Sequence, residues 1–423
     1  MEWASPGKDR ASSTMTKTPR LAWMRKWWFL WLGGAAIGLP LAYALVVGKT
    51  TLSWGDEVTY DLLAQNVVAG YGYCFLPGMP SVLRAPLYPM ILAGIYAVFG
   101  HSYLAVACIQ AVIGGLTALL VVLVGMQLLN DITPALVAGC MFACHPLLIF
   151  ATGLLYSETI YLFALVAFTY ACLKMIGDAR TKGWAVAAGV LLGASVLMKP
   201  NLMLFPLALF FWLWLASRDL HRALTLGGIA VLAMLTVVLP WTSRNYRVTG
   251  TLVPVSANSG LNLWQGNHPE ADGAAYPLEQ VEPLEGYSEV ERDRTYQRWA
   301  VQQIRSDPAR FLALMPRKIA KFFSPLQTSN RGRMVARLSV LVDGMWAAFL
   351  GLAVWGAFRT VGRSRAWMLI YLLVLYPIAL TAVFYGATRY GMVIYPYLFL
   401  LAADSLVWVA RCVKARIGAV GSR

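Results

Sequence analysis

Apolar runs long enough to cross a lipid bilayer recur along nearly the whole chain, and this feature limits the possible folds more than any other. A membrane-spanning helix needs roughly 20 mostly apolar residues. Hydrophobic residues make up 59% of the 423 residues, and the mean hydropathy is +0.60. We therefore predict an all-α polytopic membrane protein with about ten transmembrane helices. The expected spans are Trp27–Val47, Tyr103–Met126, Pro134–Phe150, Ser157–Ile176, Trp184–Met198, Leu202–Ala216, Ala223–Trp241, Ala336–Phe358, Trp367–Phe384 and Gly391–Val409.

The lysine and arginine residues indicate how the chain is oriented, because basic loops stay on the cytoplasmic side of a membrane. The tail before Trp27 is basic, and so are the short loops after Ile176, Ala216 and Phe358. All of these loops fall inside if Leu87–Phe99 does not cross the membrane. We therefore expect Leu87–Phe99 to form a short helix at the outer face.

This orientation divides the chain into four parts. Residues 1–26 are expected to form a disordered cytoplasmic tail, followed by an uncleaved anchor. Residues 27–242 are expected to form the main transmembrane module, which includes a first outer loop at residues 48–102. Residues 243–335 form a long outer loop, and residues 336–423 form the last helices and a short cytoplasmic tail.

Several classes of protein are disfavoured by what the sequence lacks. The net charge of +15 arises mainly from the basic inside loops, so no nucleic acid is expected as a partner. The six cysteines are scattered and indicate no disulfide framework. No Walker loop, dinucleotide fingerprint or metal-ligand spacing occurs, so neither ATP-driven chemistry nor a nucleotide-sugar site is expected.

Two adjacent carboxylates, Asp56 and Glu57, follow the first predicted span directly. One of them is suited to accept the proton of an attacking hydroxyl, while the other orients that hydroxyl or binds a cation. Two neighbouring like charges also raise the pKa of one carboxyl, which suits a base. A solvated acidic turn that caps the next helix explains the same pair, and both interpretations stay open.

Ionisable residues at the outer ends of the predicted spans are the next candidates. Glu158 begins one span, where a carboxylate is costly unless it has a function or interacts with the helix dipole. Four cations also lie on the predicted outer face, where the positive-inside rule does not favour them: Arg84, Lys199, Arg244 and Arg389. Such cations suit a phosphate group, although a single one of them also fits an anchor to lipid headgroups.

The stretch 258–273 of the long outer loop combines an aromatic residue with side-chain amides. Asn262, Trp264 and Asn267 lie within ten residues of one another in this stretch. An aromatic face with amides suits sugar binding, while an ordinary glycine-rich loop with an interfacial tryptophan fits equally well.

Taken in order, short motifs along the chain resemble the GT-C superfamily of integral-membrane glycosyltransferases, which use polyprenyl-phosphate sugars. The nearest resemblance is to the branch of protein O-mannosyltransferases and lipid A aminoarabinose transferases. The matching stretches are Asp56-Glu57-Val58-Thr59-Tyr60, Arg84-Ala85-Pro86-Leu87-Tyr88-Pro89, Tyr156-Ser157-Glu158, Lys199-Pro200, Pro240-Trp241-Thr242-Ser243-Arg244-Asn245, Gly260 to Asn267, and Arg389-Tyr390.

The resemblance implies roles for individual residues. It implies catalytic roles for Asp56, Glu57 and Glu158. Donor-phosphate binding is expected of Lys199, Arg84, Arg389 and Arg244. Substrate-binding candidates are Tyr60, Tyr88, His145, Asn262, Trp264 and Asn267. No cofactor is required by this scheme, although a divalent metal ion that bridges the carboxylates is a further candidate.

The expected activity follows from these assignments. A sugar would pass from a polyprenyl-phosphate donor to a hydroxyl of a lipid, glycan or protein acceptor, with inversion at the anomeric carbon. The protein would be a multi-pass protein of a bacterial-type inner membrane, in contact with membrane lipids, with its active site facing the periplasm. The alternative is a lipid or sugar transporter, for which polar residues near mid-membrane and interrupted helices would be expected.

Overall fold

The structure, a computed structural model, describes residues 19–47, 52, 55–129, 131–325 and 333–420, and this part of the chain is mostly helical. Residues 1–18 of the predicted tail lie outside the described residues. The first helices are α1 (Pro19–Val47), α2 (Gly55–Val68), α3 (Leu87–Phe99), α4 (Tyr103–Leu128), α5 (Ile132–Ala143), α6 (Pro146–Thr152), α7 (Glu158–Gly177) and α8 (Thr181–Met198). The remaining helices are α9 (Phe205–Ser217), α10 (Leu220–Thr249), α11 (Ser259–Asn267), α12 (Glu289–Ser306), α13 (Pro308–Phe322), α14 (Arg333–Thr360), α15 (Ala366–Val383), α16 (Thr388–Gly391) and α17 (Tyr395–Val420).

The apolar helices confirm the predicted class, an all-α polytopic membrane protein. Among the described residues, six helical segments are long and apolar enough to span a bilayer, and α5 with α6 would form a seventh across a 53° bend. Shorter apolar helices occupy Leu30–Val46, Leu87–Phe99 and Phe205–Ser217. A helix therefore occupies each of the ten predicted spans, while the number that cross the membrane stays a prediction.

Small residues allow the central helices to pack closely. α8 packs between α7 and α10, and a Cβ atom added at Gly189 of α8 would lie 2.1 Å from the carbonyl oxygen of Ala230 in α10. Apolar side chains gain nothing by leaving lipid for another helix, so close backbone approach is a main source of helix association in membranes. The helices that carry the candidate residues are thereby held at fixed spacings.

Two groups of short elements connect these helices. The first follows α1 and contains α2, the hairpin of β1 (Cys74–Leu76) and β2 (Met79–Pro80), and α3. The second follows α10 and contains α11 to α13, with a small core of its own formed by Trp264, Val281, Tyr296 and Ala300. In this second group a capping box between Ser288 and Glu291 begins α12. The first group supplies residues of the candidate site, and the second packs against the segment that carries Arg389.

Candidate active site

Asp56 stands in the first turn of α2, between two arginines that come from distant parts of the chain. Its Oδ1 atom lies 2.6 Å from a guanidinium nitrogen of Arg84, in the loop before α3. Its Oδ2 atom lies 2.6 Å from a guanidinium nitrogen of Arg389, in α16. The predicted general base therefore has a cation on each oxygen.

Glu158, the first residue of α7, forms the second half of the same cluster. Its Oε1 atom accepts a hydrogen bond of 2.8 Å from the ammonium of Lys199, which follows the end of α8. The Nε atom of Arg389 also donates to this oxygen, so Arg389 links Glu158 to Asp56. The Glu158 side chain is only 3% exposed, whereas those of Lys199 and Arg389 are 18% and 19% exposed.

The charge balance of this cluster favours an anionic ligand. We call Asp56, Arg84, Glu158, Lys199 and Arg389 the charge cluster. Three cations and two carboxylates give 3 − 2, a net charge of +1. Each contact is a charge-assisted hydrogen bond or ion pair, so the side chains are held in place before a ligand arrives.

The surroundings of Asp56 correct one expectation from the sequence. We expected the neighbouring Glu57 to raise the pKa of one carboxyl of this pair. Burial does act to raise the pKa of Asp56, but the nearby Arg389 and Arg84 outweigh it and hold this pKa below its usual value. Burial also lowers the pKa of the Lys199 ammonium, an effect that the Glu158 carboxylate opposes.

Glu57 lies on a different side of α2 from Asp56, because consecutive helical residues are about 100° apart around the axis. The Glu57 side chain is fully buried, and its Oε1 atom accepts a 2.9 Å hydrogen bond from the backbone N–H of Leu155. This bond ties α2 to the segment that leads into α7 and Glu158. The two carboxylates of the pair therefore have different surroundings.

Tyrosine rings line the cations of the cluster. The Arg389 guanidinium lies 4.0 Å from the ring centre of Tyr156, and the Arg84 guanidinium lies 5.7 Å from that of Tyr60. The Lys199 ammonium lies 5.4 Å and 5.7 Å from the rings of Tyr161 and Tyr390. Such contacts stabilise cations that have lost much of their water.

Sequence reasoning assigned no role to three of these tyrosines. Tyr156, Tyr161 and Tyr390 lie within three residues of a cluster member, and this spacing is the signal that could have identified them. The predicted Tyr60 and Tyr88 pack edge to face at 5.2 Å, and the hydroxyl of Tyr88 donates to Gln110. Tyr60 therefore borders the cluster directly, with Tyr88 behind it.

Two buried polar atoms of the cluster lack hydrogen-bond partners among the described residues. They are the Oε2 atom of Glu158 and the Nε atom of Arg84. Buried polar atoms are nearly always paired in proteins, so an unpaired one can indicate where a ligand binds. The Glu158 oxygen can accept a hydrogen bond from a ligand hydroxyl, and the Arg84 nitrogen can donate one to a phosphate oxygen.

Arg244, a predicted phosphate ligand, donates hydrogen bonds to backbone carbonyl groups, and its role in phosphate binding stays a prediction. Its guanidinium donates to the carbonyl oxygens of Ser81 at 2.5 Å and Tyr73 at 3.0 Å, and it lies 4.8 Å from the ring centre of Trp241. The Tyr73 hydroxyl in turn donates to the carbonyl oxygen of Arg84. These contacts of Arg244 thus brace the loop that carries Arg84.

The other predicted substrate-binding residues make contacts elsewhere. The imidazole of His145 lies among the rings of Trp346, Tyr395 and Phe399. Trp264 belongs to the small core of the α11–α13 segment. The Asn267 amide binds backbone carbonyl groups and a lysine, whereas Asn262 is a partly buried residue of α11. A substrate-binding role for these residues stays a prediction.

The donor groups at Asp56 and Glu158 do not fit a divalent metal ion. Both carboxylate oxygens of Asp56 and one of Glu158 already face guanidinium or ammonium groups. These cations would repel a metal ion bound at the same carboxylates. Among the residues that the structure describes, no group of three or more His, Cys, Asp or Glu side chains could hold a metal ion. We therefore derive no reaction step through a metal.

Comparison with known proteins finds relatives among enzymes that use lipid-linked sugars. A family model described as dolichyl-phosphate-mannose-protein mannosyltransferase matches residues 83–242. The undecaprenyl phosphate-alpha-4-amino-4-deoxy-L-arabinose arabinosyl transferase of Pseudomonas aeruginosa (strain UCBPP-PA14) is 29% identical over 230 residues. That match covers 51% of this chain and 40% of the relative, so the alignment spans less than half of the relative's length.

Solved structures extend the comparison to the fold. The archaeal oligosaccharyltransferase AglB from Archaeoglobus fulgidus, solved with an inhibitory peptide and a dolichol-phosphate, superposes with a TM-score of 0.58 at 15% identity. The superposition covers 95% of this chain and 52% of AglB. ArnT from Cupriavidus metallidurans, solved with undecaprenyl phosphate, gives a TM-score of 0.41 at 16% identity.

The likeness to AglB concerns the fold, and it covers nearly all of this chain. The family model and the Pseudomonas relative match in sequence over shorter stretches, and the family-model match includes Arg84, Glu158 and Lys199. These findings confirm that the chain resembles the GT-C superfamily of integral-membrane glycosyltransferases, in the branch of protein O-mannosyltransferases and lipid A aminoarabinose transferases.

Proposed function

We propose that this protein transfers a sugar from a polyprenyl-phosphate donor to an acceptor hydroxyl. The observation that carries the proposal is the charge cluster, in which two carboxylates and three cations from five separate elements meet. Such a transfer needs a base for the acceptor, cations for the departing phosphate, and alignment of both substrates. The cluster contains candidates for the first two functions side by side.

The cations of the cluster would bind the donor phosphate. Arg84 and Arg389 flank Asp56, and Lys199 pairs with Glu158. A phosphate bound among these three cations would interact with all of them. A sugar phosphodiester carries one negative charge, which matches the net +1 of the cluster. A lipid diphosphate carries more negative charge and matches it less well. We therefore favour a monophosphate donor.

Donor binding would also prepare Asp56 to act as the base. In the structure, Arg389 and Arg84 lower the pKa of Asp56, which makes it a weak proton acceptor. A bound phosphate would partly neutralise both guanidinium groups, so the pKa of Asp56 would rise toward its usual range. The base would therefore become effective once the donor is in place, which limits unproductive reaction.

The proposed reaction is a single displacement. Asp56 accepts the proton of the acceptor hydroxyl while the acceptor oxygen bonds to the anomeric carbon of the sugar. The bond between that carbon and the phosphate oxygen breaks, and its electron pair leaves with the phosphate. Arg84, Lys199 and Arg389 stabilise the charge that grows on the phosphate. Attack from the face opposite the phosphate inverts the anomeric carbon.

The positive-inside rule supports a location for this chemistry. With the basic loops in the cytoplasm, the charge cluster would lie at the outer face of the inner membrane. The same orientation requires about ten membrane spans and puts residues 243–335 outside. The acceptor would then be a lipid, glycan or protein exposed on that face. Donors built on undecaprenyl phosphate would reach the cluster from the outer leaflet.

The direct test incubates the purified protein in nanodiscs with a panel of undecaprenyl-phosphate sugars and candidate acceptors. The measured product is undecaprenyl phosphate, which the proposal expects to be released only when donor and acceptor are both present. An Arg389→Met variant, which loses the link between the two carboxylates, serves as the inactive control. Movement of intact donor across liposome membranes without its cleavage would instead support the transporter alternative.

A further inference from the structure

A buried lysine that the proposed mechanism does not use lies next to the segment that carries Arg389. The side chain of Lys318, in α13, is fully buried. Its ammonium donates to the Oδ1 atom of Asn267 at 2.8 Å and to the carbonyl oxygen of Val383 at 3.0 Å. It also lies 5.2 Å from the ring centre of Phe311. Lys318 therefore joins three parts of the chain.

This lysine occupies a costly position. Burial and the nearby Arg310 guanidinium lower the pKa of Lys318 to about 8. The hydrogen bonds that the structure gives its ammonium go to neutral acceptors, the Asn267 amide oxygen and the Val383 carbonyl oxygen. An unpaired buried charge destabilises a fold. An apolar side chain would pack here at lower cost, which suggests that the hydrogen bonds of Lys318 serve a purpose other than stability.

The segment that Lys318 contacts, residues 383–391, runs from the last residue of α15 through α16, and we call it the arginine strap. Its first residue, Val383, accepts hydrogen bonds from both Lys318 and the Nδ2 atom of Asn267. Further along the segment, the backbone N–H of Gly386 donates a 2.9 Å hydrogen bond to the carbonyl oxygen of Gly273. The strap is thus bonded at two points to the α11–α13 segment.

The strap also packs directly on the backbone of α13. A Cβ atom added at Gly386 would lie 1.8 Å from the carbonyl oxygen of Lys318, and one added at Gly391 would lie 2.4 Å from that of Phe322. Only residues without a side chain fit such contacts. The α13 surface therefore fixes the path of the strap on both sides of Arg389.

We propose that Lys318 is a positioning residue, which holds the arginine strap so that Arg389 meets Asp56 and Glu158 together. Arg389 contacts both carboxylates from α16, the first turn of the helical segment Thr388–Gly418, and the strap is the chain that leads into this turn. Its position depends on what holds the strap. Lys318 supplies two of these restraints, through Val383 directly and through Asn267.

The test replaces Lys318 by methionine, which has a similar shape but no hydrogen-bond donor. The matched control is Lys321→Met, one turn further along α13, where the lysine is one-third exposed and pairs with Asp272. Both proteins are purified in nanodiscs and treated with phenylglyoxal, which modifies accessible arginines. Peptide mass spectrometry then measures the modification of Arg389. Arg244 serves as the internal reference for global unfolding.

The expected result is faster modification of Arg389 in Lys318→Met than in the wild type, with no change at Arg244 and no change in Lys321→Met. Modification of Arg389 at the wild-type rate in folded Lys318→Met would overturn the proposal. If Lys318→Met does not fold, Asn267→Ala decides in the same way, because it removes one acceptor of Lys318 and one bond to Val383.

A second readout rests on the proposed function and uses transfer kinetics. Misplacing a group that acts in the transition state by about 1 Å can cost about 100-fold in rate, so Lys318→Met should lower kcat by up to about 100-fold. In an Arg389→Lys background the same substitution should have little further effect. Additive losses would show that Lys318 acts elsewhere. If the wild-type protein transfers no sugar, the proposed function fails, while the arginine modification still tests the positioning role.

Discussion

Replacing Asp56 by asparagine removes a negative charge from between two arginines while it keeps the shape of the side chain. Both carboxylate oxygens of Asp56 lie 2.6 Å from a guanidinium nitrogen, so the change raises the net charge of the cluster from +1 to +2. Removal of a general base lowers the rate of transfer by about 10²–10⁴-fold. The same change should strengthen the binding of a phosphate, because Arg84 and Arg389 are freed.

The size of this second effect follows from simple electrostatics. A unit charge about 5 Å from a phosphate contributes about 3 kcal/mol at an effective dielectric constant of about 20. The Asp56 side chain is 26% exposed, so solvent screening leaves about 1 kcal/mol, or roughly 5-fold tighter binding. The loss of the two ion pairs of Asp56 should also lower the free energy of unfolding by about 1–2 kcal/mol.

The assay measures transfer and the binding of undecaprenyl phosphate on the same preparations. Asp272→Asn is the matched control, because it makes the same change of charge at a side chain that is 67% exposed. Wild-type transfer by Asp56→Asn would refute the assignment of the base. Weaker binding of undecaprenyl phosphate by a folded Asp56→Asn protein would refute the electrostatic reasoning.

Three further predictions concern other parts of the molecule. Lys199→Met should raise the donor Kd and lower kcat, whereas Lys199→Arg should keep part of both. Because burial lowers the pKa of Lys199, a pH–rate profile should fall as pH rises through a value below the usual lysine pKa of about 10.4, and Lys199→Arg should move that fall to higher pH. In a cysteine-free background, a cysteine at Ser259 should be labelled from the outer face and one at Thr181 should not; the opposite pattern would reverse the proposed topology. Gly386→Ala should displace the arginine strap, because its Cβ atom would lie 1.8 Å from a carbonyl oxygen, and wild-type transfer and melting temperature in this variant would contradict the packing described.

The sequence was sufficient to predict the class of fold. Membrane-spanning helices leave long apolar runs, and a helix occupies every predicted run. The number of crossings is harder to derive, because Phe205–Ser217 is short and α5 and α6 meet at a bend. Length and composition do not decide whether such helices cross a bilayer or lie at its surface.

The members of the charge cluster could be predicted one by one, whereas their convergence could not. Asp56 and Arg389 are separated by 333 residues, and no local pattern shows that their side chains meet. Arg244 looks similar in sequence, as another cation at the predicted outer face, yet it binds backbone carbonyl groups. Lys318 gave no signal either, because it lies between Arg317 and Lys321 in a helix rich in basic residues.

Transfer of the sugar would change the charge that the cluster has to hold. The donor phosphodiester carries one negative charge, but the lipid phosphate left behind is a monoester whose second pKa is about 6. At neutral pH it carries nearly two negative charges, and the proton that Asp56 has accepted raises the net charge of the cluster from +1 to +2. The protonated cluster would therefore hold the spent lipid more firmly than the resting cluster binds fresh donor. Product inhibition would therefore be a built-in property of this site. Turnover would depend on a separate process that clears the lipid phosphate from the same leaflet.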